Sequence, residues 1–201
     1  ILPISHDEVV YGKCSMINKM PGEYDQKFAS YRAFLAYMMA HPGKKLLFMG
    51  QEFGQMNEWN YQTQLDWNLM EFDSHRNLQN FSAELNKFYK ENSPLWQNDD
   101  SWGGFSWISN DDYKQSVIAF RRIDDNGDEI VAVCNFVPVE RNDYRIGIPL
   151  KGRYKVVFNT DASEFGVSGI TEKSFKTENK PMHGFYNSIS ITLAPLSFIY
   201  L

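Results

Sequence analysis

Leu46-Leu47-Phe48-Met49, led in by Lys44-Lys45 and closed by Gly50, is a short and continuously apolar run. A strand with one face in water alternates apolar and polar residues, whereas a parallel strand covered on both faces does not. The run therefore predicts a buried parallel strand. Just before it, residues 27–39 place Phe28, Tyr31, Phe34, Leu35, Met38 and Met39 at the i, i+3, i+4, i+7 spacings of an amphipathic helix. His41-Pro42-Gly43 ends that helix, because Pro cannot continue the hydrogen-bond ladder and Gly permits the reversal. Beyond the run and a long polar loop, Leu78, Phe81, Leu85 and Phe88 repeat at helical spacing, with Asp73 or Ser74 as the N-cap. Ile1-Leu2-Pro3-Ile4 reads as the end of an earlier strand. The order expected over residues 1–101 is β-α-β-α.

Downstream the periodicity changes. Short β-rich runs occupy residues 105–108, 116–121, 129–136, 144–148, 154–158, 189–193 and 198–200. Turn signals such as Asp124-Asp125-Asn126-Gly127-Asp128, Lys151-Gly152 and Ala194-Pro195 separate them. Short strands at near-regular spacing argue for an antiparallel β-sandwich over residues 102–201. Ser93-Pro94 and Asn98-Asp99-Asp100 mark the boundary. A closed (β/α)8 barrel needs about 250 residues, and the first region offers only two of its eight units. These units either close a barrel begun upstream or form some smaller fold; the abrupt start at Ile1 favours the first, so the fold class expected is the last two β/α units of a TIM barrel followed by a C-terminal antiparallel β-sandwich. Trp96, Trp102 and Trp107, near the boundary, are expected to pack the β-region against the helices.

Composition narrows the function classes. The chain is 43% hydrophobic and 15% aromatic, ample for a packed core and unlike a disordered chain. A net charge of −5 with no basic stretch argues against a nucleic-acid partner. No apolar run approaches the length of a membrane span. Two distant cysteines, Cys14 and Cys134, read as two buried free thiols in a reducing, cytoplasmic setting. His6, His41, His75 and His183 show no paired ligand spacing, so neither a metal nor a cofactor is expected.

Chemistry is expected at Ser5-His6-Asp7-Glu8, directly after the opening apolar residues and so at the C-terminal end of the presumed strand. Barrel active sites are built at that end. A carboxylate beside an imidazole there can bind sugar hydroxyls and balance positive charge at an anomeric carbon, although a His-Asp pair in a loop is also an ordinary solvated turn.

The blocks around this tetrapeptide carry a resemblance. His6-Asp7-Glu8-Val9-Val10-Tyr11-Gly12-Lys13, Asn18-Lys19-Met20-Pro21-Gly22, Leu46-Leu47-Phe48-Met49-Gly50-Gln51-Glu52-Phe53-Gly54, Glu58-Trp59 and Leu65-Asp66-Trp67 together closely resemble the 1,4-α-glucan branching enzymes of the α-amylase superfamily. Val133-Cys134-Asn135-Phe136 and Phe158-Asn159-Thr160-Asp161 resemble that family's C-terminal β-domain.

The resemblance implies barrel strand seven ending at the Ser-His-Asp-Glu stretch and strand eight at the Met-Gly-Gln-Glu stretch. It assigns Asp7 as the transition-state-stabilising carboxylate and His6 as its neighbouring hydrogen-bonder. The implied reaction is retaining transfer of an α-1,4-glucan chain to a 6-hydroxyl. Its nucleophile and general acid come from earlier barrel strands, so this chain alone is expected to be inactive and to pack on the rest of the barrel.

Glu8 adjoins Asp7 and is expected to be structural, since it would not straddle the scissile bond. Glu52 is placed either to line the glucan groove or to make a salt bridge within its loop. Lys13 is placed to hold its loop, to reach substrate, or simply to be solvated. Trp59 and Trp67 either stack on sugar or pack in the loop. Two alternatives stand beside the enzyme: a non-catalytic glucan-binding or packing module, and the tail of another superfamily hydrolase.

Overall fold

The computed structural model describes residues 4–201, so Ile1-Leu2-Pro3 of the expected opening strand lies outside the described residues. The first region contributes helix α1, Tyr24–Ala40, and helix α2, Asp73–Glu91. At the start of α1 the Glu23 amide donates to Gln26 Oε1 at 3.1 Å, and at its end the His41 amide donates to the Tyr37 carbonyl at 2.9 Å. The helix then stops at His41-Pro42-Gly43, as expected. Helix α2 starts without a side-chain cap. Asp73 instead lies in its first turn and pairs with Arg76, and the Ser74 hydroxyl bonds Tyr24 Oη at 2.7 Å. The cap expected at Asp73 or Ser74 is thus corrected, since both side chains are committed elsewhere.

The strand expected at residues 46–49 is also corrected. Residues 44–48 carry no regular structure, and Leu46 and Met49 are exposed. A strand needs a neighbour to take its amides and carbonyls, and among the described residues none runs beside this segment. Among the described residues before 105 the order is helix α1 then helix α2, with no strand between them.

Nine strands follow: β1 Phe105–Ser109, β2 Val117–Ile123, β3 Glu129–Asn135, β4 Arg141–Ile148, β5 Arg153–Lys155, β6 Phe158–Asn159, β7 Ser174–Lys176, β8 Asn187–Leu193 and β9 Ser197–Tyr200. A five-stranded sheet has the order β1-β2-β3-β9-β6, with two-stranded sheets β4-β8 and β5-β7 beside it. Every pairing is antiparallel. Residues 154–158, expected as one strand, are divided: β5 pairs with β7, whereas β6 pairs with β9.

The five-stranded sheet is covered on both faces, and its period-two alternation sorts two cores. On one face Phe120, Ile130, Ala132, Cys134, Phe198 and Tyr200 meet the helices through Phe28, Leu35, Phe81, Leu85 and Phe88. On the other, Val117, Ala119, Val131, Val133 and Ile199 meet Tyr144, Ile146, Ile189, Ile191 and Phe175 of the smaller sheets. Cross-strand registers Cys134↔Phe198 and Ala132↔Tyr200 keep like faces together, with Val133↔Ile199 turned the other way. Hence the layers run helices, central sheet, smaller sheets.

Ring pairs build the seam between helices and sheet: Phe81 and Phe165 lie 5.1 Å apart, Phe88 and Tyr200 4.9 Å, Tyr37 and Phe120 6.2 Å. Trp102 is 89% exposed, Trp96 and Trp107 are each 40% exposed, and the Trp107 ring packs on Phe105 and Phe120 of the sheet. The expectation that these tryptophans form the seam is corrected: phenylalanines and tyrosines fill it.

Buried polar groups brace the seam. Arg122, fully buried on β2, donates to the Ala40 carbonyl at 2.8 Å, to the Gly104 carbonyl at 3.0 Å and to Asp99 at 2.6 Å. Tyr200 Oη donates to the Ala36 carbonyl at 2.6 Å, and Arg32 Nε donates to the Thr160 carbonyl at 3.2 Å. Burial lowers the Arg32 pKa to about 10, although Asp161 and Asp25 oppose it.

Candidate functional site

Two loops make the site, and each is held by elements already described. The second loop turns at Gln51–Phe53 between two glycines, Gly50 and Gly54, with φ of 87° and 76°. Only glycine takes such angles without cost, and space forbids more: a Cβ on Gly50 would lie 2.8 Å from Gln55 Cβ, and one on Gly54 2.9 Å from Leu78 Cδ2. The Met-Gly-Gln-Glu-Phe-Gly block is therefore a turn seated tightly against α2. From beneath, Tyr31 Oη donates to the Gln51 carbonyl at 3.0 Å, Ser82 Oγ to the Glu52 carbonyl at 2.9 Å and His75 Nδ1 to the Phe53 carbonyl at 2.7 Å. Burial pushes the Tyr31 hydroxyl pKa upward and the nearby Glu52 carboxylate adds to the rise, so Tyr31 remains a neutral donor.

The first loop carries His6, Asp7 and Glu8 on one 3-10 turn. Ser5 Oγ donates to Asp7 Oδ2 at 3.1 Å and accepts from the Asp7 amide at 3.3 Å. His6 Nε2 lies 3.4 Å from Asp7 Oδ1, and the Asp7 side chain is 72% exposed. The carboxylate is thus oriented by its own loop and presented to solvent. Lys13 Nζ donates to the Asp7 carbonyl at 2.7 Å, tying the far end of the loop to the site. Of the three placements open for Lys13, holding its loop is the one its hydrogen bond supports. Glu8 is exposed on the same turn.

Tilted and edge-on ring contacts bring the two loops together. The His6 ring lies 5.7 Å from Trp59 and 6.0 Å from Phe48, which itself packs edge-on to Trp59 at 5.3 Å. Tyr61, 77% exposed, adjoins Trp59 at 6.4 Å. The Trp59 amide donates to the Val9 carbonyl at 3.0 Å, and Asn18 Nδ2 to the Met56 carbonyl at 2.8 Å. His6, Asp7, Lys13 and Trp59 therefore form one constellation. Glu52 stands apart, half-buried and near enough to Tyr31 for its charge to act on that hydroxyl. Trp67 packs on Phe53, 5.1 Å away, and is half exposed.

Glu58 was not among the expected site residues, yet its carboxylate accepts from the Gly12 amide at 3.1 Å and the Cys14 amide at 2.7 Å. Only its place in the Glu58-Trp59 block could have flagged it. Cys14 is exposed rather than buried, because this carboxylate holds its backbone at the surface; Cys134 is buried in the sheet as expected.

The arrangement offers a solvated carboxylate beside an imidazole on a rigid turn, with aromatic faces next to it. That set can hydrogen-bond the hydroxyls of a sugar and stack on its ring. Among the described residues no helix is long and apolar enough to cross a membrane.

Residues 107–201 match the family model described as the alpha amylase C-terminal all-beta domain. The whole chain is 52% identical to a 1,4-alpha-glucan branching enzyme GlgB from Aquifex aeolicus and 50% identical to one from Halothermothrix orenii, covering 32% of each. Among solved structures, an alpha-amylase from H. orenii superposes over 98% of this chain and 38% of its own at a TM-score of 0.62 and 16% identity. Ttha1563 from Thermus thermophilus does so over 98% and 34%, at a TM-score of 0.65 and 18% identity. At such identities the two structures speak for the fold alone. Over its whole length the chain is thus similar to 1,4-alpha-glucan branching enzymes, its β-region matches the alpha-amylase C-terminal all-beta domain, and it spans about a third of the length of the curated relatives it matches.

Proposed function

We propose that this chain is part of an enzyme that cleaves an α-1,4-glucan and transfers the freed chain to a 6-hydroxyl. The observation that carries this reading is the presented Asp7 carboxylate, oriented by Ser5 and His6 at the mouth of two cross-braced loops. Asp7 grips the reacting glucose by its hydroxyls and offsets the positive charge of an oxocarbenium-like transition state, and His6 adds a hydrogen bond. Trp59 supplies an aromatic face, and Lys13 acts on the loop backbone. Glu52 is a weaker candidate for substrate contact, since it is half-buried and lies outside the ring and hydrogen-bond contacts that join His6, Asp7, Lys13 and Trp59.

Retaining transfer also needs a nucleophilic carboxylate and an acid on either side of the bond. We place both in the further length that the relatives have. In this reading residues 1–101 complete a barrel whose strands lie in that further length and would give the apolar segment at 46–49 the neighbours it lacks among the described residues, and residues 102–201 are the C-terminal β-sandwich. The exposure of Leu46 and Met49 supports this, because soluble surfaces rarely leave such runs uncovered. Free thiols fit a cytoplasmic setting.

The test is Asp7→Asn in the full-length enzyme, followed by the loss of iodine-complex absorbance of amylose. Turnover is expected to fall on the order of 10² to 10³-fold with an unchanged melting temperature. The 201-residue chain alone is expected to leave the absorbance unchanged. Near-normal turnover of the Asp7→Asn enzyme would refute the assignment.

A further inference from the structure

The first loop contains a backbone arrangement that needs an anion. Tyr11, Gly12 and Cys14 have φ of 58°, 81° and 66°, two of them on residues with a Cβ. Left-handed residues on either side of one that is not, as Gly12 and Cys14 flank Lys13, turn successive amides to the same side and form a concave nest that binds negative charge. Here the nest is filled from within the protein. The Gly12 amide donates to Glu58 Oε2 at 3.1 Å and the Cys14 amide to Glu58 Oε1 at 2.7 Å, from 46 and 44 residues away in the chain. The residue between those amides is Lys13, whose Nζ donates to the Asp7 carbonyl at 2.7 Å. The next residue after Glu58 is Trp59, whose amide donates to the Val9 carbonyl and whose ring meets His6.

We propose that Glu58 is a positioning residue of the transfer reaction, an internal anion that sets the backbone of residues 11–14 so that Lys13 holds the turn bearing His6 and Asp7. It touches no reacting atom. Both carboxylate oxygens are needed, because both amides point at them. A glutamine of the same volume keeps one acceptor and turns an NH2 toward the other amide, which then has no partner. The loop relaxes from its left-handed conformation, Lys13 loses its aim, and the Asp7 carboxylate is no longer fixed. Displacements of about 1 Å in such groups cost on the order of 100-fold in rate. The inference rests on the branching reading of the site.

The experiment measures kcat and KM on amylose, together with melting temperature, for full-length enzyme carrying Glu58→Gln, Lys13→Met, both, and Asp7→Asn. Expected for Glu58→Gln is a kcat lowered about 10- to 100-fold with KM within about threefold. Its melting temperature should stay within about 2 °C, a shift matching a small stability change. The double variant should lose markedly less than the product of the two single losses, because both act through one loop. A kcat within twofold of wild type overturns the inference. So do losses that multiply with those of Lys13→Met, and so does a kcat loss accompanied by a large fall in melting temperature, which a merely structural role would produce. Asp7→Asn separates the two readings. If it is inactive while Glu58→Gln is normal, only the positioning role falls; if it is active, the branching assignment falls and takes this one with it.

Discussion

The two-loop site and the five-stranded sheet are held together in opposite ways. The sheet is closed by apolar side chains sorted onto two faces, with Cys134, Phe198 and Tyr200 on one side and Val133 and Ile199 on the other. The loops around Asp7 anchor Val9, Met16, Ile17 and Phe53 in the apolar interior, but are tied to one another differently. Backbone hydrogen bonds, a chelating carboxylate and tilted rings hold them, and Leu46 and Met49 beside them are bare. The difference teaches where each region's stability comes from. Burial is non-directional and tolerates error, whereas a hydrogen-bonded loop is either satisfied or not. The helices join the two regimes, and where they do so the joint is partly polar.

That joint gives the largest effect. Arg122 is fully buried and makes every contact through charge or a carbonyl: Asp99, Ala40 and Gly104. Arg122→Met keeps much of the apolar stem but strands the Asp99 carboxylate, whose side chain is 7% exposed and whose Oδ2 already has no hydrogen-bond partner. Removing one member of a buried pair costs about 3–5 kcal/mol. A urea titration should show that loss, and Arg122→Met with Asp99→Asn should recover part of it, since the orphaned charge is gone. A midpoint unchanged by Arg122→Met would mean that apolar packing alone binds the helices to the sheet.

Acid should act next, through three histidines of which one holds the site turn. His75 is 1% exposed, with Nδ1 donating to the Phe53 carbonyl of the site turn. Burial lowers its pKa, and the Phe53 carbonyl opposes this only in part. His41 and His183 are lowered by burial as well. For each, the folded pKa lies below the unfolded value near 6.5. Once the pH falls below about 6.5 the unfolded chain binds more protons, so stability is complete above that pH and is lost below it until the folded group also titrates. Each histidine can contribute a slope of at most about 1.4 kcal/mol per pH unit. Urea midpoints should be level between pH 7 and 8 and fall between pH 6.5 and 5.5, with a shallower fall in His75→Gln. A flat profile down to pH 5.5 would show that these rings ionise in place without cost.

How much of this was legible in the sequence divides along the same line. β2, β3, β8 and β9 were readable because their residues carry the apolar pattern themselves. β7 was not, since it offers only Phe175 between Ser174 and Lys176. Residues 154–158 looked like one strand because nothing local shows that the chain changes sheet within them. The run at 46–49 was misread for a physical reason: strand structure belongs to a pair, and among the described residues the partners are missing. In the site, His6 and Asp7 were legible only through a motif. Glu58 was invisible to spacing, because its two amide partners lie far off in sequence and are backbone groups that any residue carries.

The smallest effect tests which aromatics matter. The three tryptophans at residues 96, 102 and 107 sit where the two regions meet in sequence, and their size made them natural candidates to fill the seam. Trp102 is instead 89% exposed on a short 3-10 turn whose own bond runs from the Gly103 amide to Ser101 Oγ, independent of the ring. Truncating an exposed side chain away from caps and networks changes stability by about 0.5 kcal/mol or less. Phe81 is fully buried and packs edge-on against Phe165 at 5.1 Å and beside Phe158 at 5.8 Å. Its removal leaves a cavity between helix and sheet, costing about 3–5 kcal/mol. Trp102→Ala and Phe81→Ala, compared in one urea series on the same chain, should therefore differ several-fold in the shift of their midpoints. If Trp102→Ala were the more damaging, the ring would have to fold back onto the helices in solution, and the seam would be built by the tryptophans after all.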